Sequence, residues 1–155
     1  MRVILFVYVI LFNIIVYANA ETNALTLEKC RSGDAVACFN VGNAYDFGTG
    51  VQQDYAKSNE YYTKACDLDY ATACFNLGNV YFKGAGVEQS DTKSHELYTK
   101  ACNLENAPAC FNLASYYSLG IGIQQDDTAA SAFYQKACSL NSVIACFKLG
   151  DIYAK

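Results

Sequence analysis

A unit of 36 residues returns three times in this chain and opens a fourth time, and that period restricts the folds available to it. ACFNVGNAYDFGTGVQQDYAKSNEYYTKACDLDYAT fills residues 37–72, and ACFNLGNVYFKGAGVEQSDTKSHELYTKACNLENAP fills 73–108. ACFNLASYYSLGIGIQQDDTAASAFYQKACSLNSVI fills 109–144, ACFKLGDIYAK begins a partial unit at 145–155, and LTLEKC leads into Cys30 as the end of a preceding one. A module this short cannot bury a core alone, so consecutive modules must stack and share their apolar faces.

Inside a unit, Ala37, Val41, Ala44 and Tyr45 recur at three- and four-residue steps, the stripe of an amphipathic helix, here helix A. Helix A is expected to end near Phe47, because Gly48 and Gly50 supply the positive-φ conformations that close a helix and turn the chain. The pair returns as Gly84 and Gly86, then as Gly120 and Gly122. A second run, helix B, extends from about Asp54 to Leu68 with Tyr62, Ala65 and Cys66 on one face. Asp54, Ser90 and Asp126 stand at its start in the three units, where a side-chain oxygen accepts from an orphan backbone N–H. Each unit is thus a helical hairpin, and the chain is expected to be an all-α solenoid of stacked hairpins.

Small residues share two phases of helix A: Ala37, Ala73, Ala109 and Ala145 in one, Gly42, Gly78, Ala114 and Gly150 in the other. A mid-helix Gly costs about 1 kcal/mol against Ala, so its return predicts a close helix contact that a side chain would block. Phe39, Phe75, Phe111 and Phe147 read as core rings rather than a ligand box. Because the chain stops inside a helix A, the face of that last helix is expected to lack a partner.

The eight cysteines form C-x7-C four times. Repeat symmetry leaves two pairings: Cys30–Cys38, Cys66–Cys74, Cys102–Cys110 and Cys138–Cys146, or Cys38–Cys66, Cys74–Cys102 and Cys110–Cys138. The second strands Cys30 and Cys146, so cysteine arithmetic favours the first. Zinc sites space their ligands two to four residues apart, and thiol redox catalysis uses C-x-x-C, which is absent; neither metal nor redox chemistry is expected.

The start of the chain bears on its compartment. Met1-Arg2, an apolar run from Val3 to Tyr17 broken only by Asn13, and Ala18-Asn19-Ala20 form the pattern of a cleaved secretory signal at 1–20. The apolar run is shorter than the roughly 20 residues that span a bilayer, so no stable membrane anchor is expected after cleavage. Residues 21–155 would be the mature domain, exported to the periplasm or beyond, with 10 basic against 15 acidic residues. That balance offers no basic patch to displace counterions, which argues against nucleic acid as a partner. With no Trp, one Pro, 13 Tyr and 9 Phe, the core is built from rings and the cysteines are staples added to it.

The run Leu77-Gly78-x-x-Tyr81-x-x-Gly84-x-Gly86-Val87, continued by Tyr98-x-Lys100-Ala101-Cys102-x-Leu104, resembles the Sel1-like repeat, a relative of the tetratricopeptide repeat. Its length together with C-x7-C in every unit is similar to the Helicobacter cysteine-rich protein family. Ser58 and Ser94 depart from a pattern that often has Ala after Lys. The resemblance implies a right-handed α-solenoid, stapled by disulfides, that binds proteins or peptides and can meet a host. It also implies helix A on the concave surface, where Asn40, Asn76 and Asn112 form one row and Asn43, Asn79 and Ser115 a second. Amides both donate and accept, which suits the backbone of an extended peptide.

Some members of that family are described as penicillin-binding proteins or β-lactamases, which implies a β-lactam or peptidoglycan-like small molecule as the alternative partner. Ser90-Asp91-Thr92-Lys93 does match S-x-x-K, but S-D-N and K-T-G are missing, and Ser90 has a simpler reading as a helix cap. His95, the only histidine, reads as a solvated residue on helix B. From the residues themselves no catalytic residue, cofactor or metal is expected.

Overall fold

The computed structural model describes residues 24–154, and the expected export signal lies outside them. Among the described residues there are helices and turns but no strand, and no helix is long and apolar enough to cross a membrane. A short helix at 24–31, α1, precedes α2 (Ala35–Phe47), α3 (Tyr55–Asp67), α4 (Ala71–Lys83), α5 (Asp91–Asn103), α6 (Ala107–Leu119), α7 (Asp127–Ser139) and α8 (Val143–Tyr153). The hairpins are α2/α3, α4/α5 and α6/α7, each packed on the next, so α2, α4, α6 and α8 are helices A and α1, α3, α5 and α7 are helices B.

Capping chemistry sets these boundaries. Asp54 accepts from the Lys57 N–H at 3.0 Å, Ser90 from the Lys93 N–H at 3.3 Å and Asp126 from the Ala129 N–H at 2.9 Å. The Lys57 N–H also holds the Asp54 carboxyl below its ordinary pKa. Each complete helix A ends on a left-handed glycine, Gly48, Gly84 or Gly120, with φ between +67° and +69°. Helix B leaves by another device: Asp69, Glu105 and Asn141 take φ of 60°, 63° and 67° without being glycine. Only one Asn among those three would have hinted at this turn, since Asn tolerates the left-handed region best.

The core is a column of small residues and sulfur. Ala65, Ala73, Ala101, Ala109, Ala137 and Ala145 are fully buried, which lets neighbouring helices approach closely. Cys30–Cys38, Cys66–Cys74 and Cys102–Cys110 are buried in this column and Cys138–Cys146 lies at its more open end, all with Cα–Cα distances of 4.5–4.7 Å. Every bridge ties the end of one helix B to the start of the next helix A, across a boundary between units. A loop this short contributes about 2.5 kcal/mol on the chain-entropy account.

Candidate ligand groove

The mid-helix glycines make room for tyrosines. A Cβ at Gly42 would stand 2.7 Å from Cδ1 of Tyr62, and one at Gly78 the same distance from Cε1 of Tyr98. One edge of each ring thus lies against bare helix backbone, which delivers its hydroxyl to the polar rows of helix A. Tyr62 donates to Asn43 Oδ1 at 2.7 Å and Tyr98 to Asn79 Oδ1 at 2.6 Å. In the third unit, where Ala114 replaces the glycine, the hydroxyls of Ser115 and Tyr134 lie 3.3 Å apart. Burial pushes the Tyr62 and Tyr98 phenols above their ordinary pKa, and the Asp46 charge adds to the effect at Tyr62. Polar side chains nearby work the other way, Ser58 and then Asn76 at Tyr62, Ser94 and then Asn112 at Tyr98. The hydroxyls of Tyr62 and Tyr98 are each held by the asparagine of their own unit.

Asn79, Asn112 and Ser115 meet in one groove of about 320 Å³ between α4 and α6. Tyr98 also lines it, and Phe82, Tyr116, Leu119 and Ile121 supply an apolar wall with Lys83 beside it. A second groove of about 440 Å³ lies between α1 and α2, where Asn40 and Asn43 meet Leu27, Val41, Phe47 and Val51. The two repeat one another: Asn112, Ser115 and Leu119 occupy the unit positions of Asn40, Asn43 and Phe47. Asn76 lines neither groove. With their carbonyl oxygens engaged by tyrosine, Asn43 and Asn79 retain amide N–H groups that can donate to a ligand carbonyl. Sequence reading had found the asparagines but not the tyrosines that orient them, nor the apolar wall. A signal existed, because Asn and Tyr recur 19 residues apart in the first two units.

Two other residues singled out in the sequence have structural partners. Ser90 Oγ is engaged by the Lys93 N–H as a helix cap, and the Lys93 ammonium lies 5.0 Å from the centre of the Tyr81 ring, so each functional end of S-x-x-K has a structural partner. His95 is not the solvated side chain expected. Its ring packs 5.6 Å from Tyr117 and 6.0 Å from Tyr116, and Nε2 is buried without a hydrogen-bond partner among the described residues. Burial lowers its pKa, against the opposing influence of Glu96.

Stacked hairpins with a groove along their A helices define the class: an α-solenoid of the tetratricopeptide-like kind. The chain belongs to the Sel1 repeat family, whose pattern matches residues 35–70, 71–106 and 107–142. It is similar to the crystal structure of a Sel1 repeat protein from Oxalobacter formigenes, at 28% identity and a TM-score of 0.78, over 81% of this chain and 95% of that one. Helicobacter pylori cysteine rich protein B is 25% identical with a TM-score of 0.68, over 86% of this chain and 96% of its own. A third similar structure is c5321, described as a protective antigen present in uropathogenic Escherichia coli strains. It is 26% identical with a TM-score of 0.76, over 87% of this chain but 29% of its own. No match emerges among curated proteins.

Proposed function

We propose that this chain is an exported, disulfide-stapled scaffold that captures proteins or extended peptides along its A helices. The observation that carries the reading is the groove between α4 and α6, where Asn79, Asn112 and Ser115 stand beside an apolar wall. Such a surface pairs backbone hydrogen bonding with a seat for one apolar side chain, the combination an extended peptide requires. Four bridges fit an oxidising compartment, and the description of c5321 as a protective antigen is consistent with exposure to a host.

The test is a peptide library selected on the oxidised full chain. Peptides that win should bind at least about tenfold more weakly to a variant carrying Asn112→Ala and Leu119→Asp, a loss near 1.4 kcal/mol. They should keep their affinity for Glu96→Ala, on the B helix α5. Binding that ignores Asn112 and Leu119 would remove the groove from consideration.

A further inference from the structure

The A helices carry two kinds of row. Two rows are nearly constant from unit to unit: Asn40, Asn76 and Asn112 in one, Asn43, Asn79 and Ser115 in the other. A third row changes at every step. At the last position of helix A, before the glycine that ends it, stand Phe47, Lys83 and Leu119. The constant polar rows suit the backbone of any extended peptide, because every peptide offers the same carbonyls. Discrimination among sequences then falls to the row that varies.

Phe47 and Leu119 are 73% and 71% exposed. A complete hairpin stands before Leu119 and α7 and α8 follow it, so this exposure belongs to the place in the unit and not to an end of the stack. Lys83, on the A helix between them, is exposed as well. Lys57, Lys64 and Lys100 pair with Asp54, Glu60 and Asp69, and Lys93 lies over Tyr81, whereas the Lys83 ammonium has no such partner among the described residues. A cation in the last turn complements the helix dipole, but α2 and α6 end on the same kind of glycine without one. Lys83 is thus a free cation beside the apolar wall built by Phe82, Leu119 and Ile121. Asp46, a carboxylate on α2, accepts instead from the Tyr62 hydroxyl at 3.4 Å.

We infer that this row selects an acidic side chain flanked by apolar ones: a carboxylate against Lys83, one apolar side chain on Phe47 and another on Leu119. Such selectivity rests on the capture of extended peptides along the A helices and adds which sequences are taken. Because apolar seats lie on both sides of Lys83, the peptide runs past it, and the carboxylate belongs to an internal Asp or Glu rather than to a chain end. Successive A helices stand about one helix diameter apart, roughly 10–12 Å. A polyproline II strand rises about 3.1 Å per residue with about three residues per turn, so every third side chain points the same way at a spacing of about 9 Å. Its backbone groups have no partners of their own and are left for the asparagine rows. The partner segment therefore carries an acidic residue with an apolar residue three positions before it and another three positions after. An ion pair at an exposed site adds modestly to affinity, so its main effect is to decide between sequences.

The probe is a synthetic array of nonapeptides blocked at both ends, with alanine and proline fillers and every residue type at the second, fifth and eighth positions, bound by the oxidised full chain at low salt. The strongest peptides should carry Asp or Glu at the fifth position and apolar residues at the second and eighth. Glutamate there should bind at least about fivefold more tightly than glutamine, near 1 kcal/mol, and the gap should narrow as salt is raised. Lys83→Glu, at an exposed position that the fold does not depend on, should transfer the preference to Lys and Arg. Phe47→Asp should remove the apolar preference at one outer position only. The selectivity is overturned by an array on which no peptide binds, or by a glutamate preference that Lys83→Glu leaves in place. Winners that depend on Asn112 and Leu119 but ignore charge at the fifth position overturn it too, while leaving peptide capture in the groove standing. Winners indifferent to Asn112→Ala with Leu119→Asp remove both.

Discussion

Two serines that look equivalent in the sequence have opposite roles. Ser58 and Ser94 stand at one position of helix B, where the family pattern often has Ala, and both are buried. Ser94 Oγ donates to the Gly78 carbonyl at 2.9 Å and accepts from the Tyr116 hydroxyl at 2.8 Å, so it joins α5 to the A helix on either side. The second unit has Val80 at the position of Tyr116, and Ser58 Oγ is buried without a hydrogen-bond partner among the described residues. A buried hydroxyl with no partner costs about 1–3 kcal/mol, whereas removing one that is already unpaired costs nothing in hydrogen bonding. Ser94→Ala, which leaves the buried Tyr116 hydroxyl without its acceptor, should therefore destabilise by about 1–3 kcal/mol. Ser58→Ala should be neutral or stabilising by up to about 1 kcal/mol. Denaturant midpoints at constant slope measure both, and equal losses in the two variants would contradict the assignment. The sequence could not separate the serines, because the deciding group lies 22 residues downstream in another unit.

At the scale of helices and turns, much was legible because it depends on local chemistry. The glycine pairs, the oxygen-bearing caps and the three- and four-residue apolar steps each act within a few residues, and they set α2 to α7 where expected. What a turn packs against was not legible. A Cβ at Gly86 would stand 2.8 Å from the Cβ of Tyr55, and one at Gly122 2.8 Å from that of Asp91, so these two glycines each admit the preceding helix B. The two junctions then diverge. Asn59 on α3 donates to the Ala85 carbonyl at 3.2 Å, while its counterpart on α5 is His95, with Nε2 buried and unpaired. Asp91 Oδ1, one turn before His95 on α5, is likewise buried and unpaired, and Tyr116 and Tyr117 close the site from α6. Because burial holds the His95 pKa below 6.5 in the folded chain, the unfolded chain takes up the proton first as pH falls. Stability at this junction is therefore complete above about pH 6.5 and declines as pH drops toward the lowered folded value. His95→Asn removes the titrating group and offers the amide that α3 already uses. Melting curves from pH 8 to pH 5 should show the parent losing more stability than the variant, and parallel losses would rule out His95 as the source.

A solenoid has no single centre, so the stability of the whole is a sum of units and of the contacts between neighbours. The bridges are placed on those contacts rather than inside the hairpins, and each can fail separately. Their surroundings differ: Cys66, Cys74, Cys102 and Cys110 are buried, as are Cys30 and Cys38, whereas Cys138 is half-buried and Cys146 is exposed. Thiol–disulfide exchange requires a thiolate to reach a sulfur, so access orders the reaction. Limited treatment with a small dithiol, followed by alkylation and peptide mass mapping, should first label Cys138 and Cys146 together. The product should keep most of its helix content, because α8 packs on α7 and the hairpins from α2 to α7 remain stapled. Reduction of the two bridges between complete units requires the stacked A and B helices to separate. It should therefore wait for an opening of the column and, once begun, remove structure on both sides of the cut bridge. Early labelling of Cys66–Cys74 or Cys102–Cys110, with Cys138–Cys146 intact, would show that the buried alanine and sulfur column does not restrict access as the packing requires.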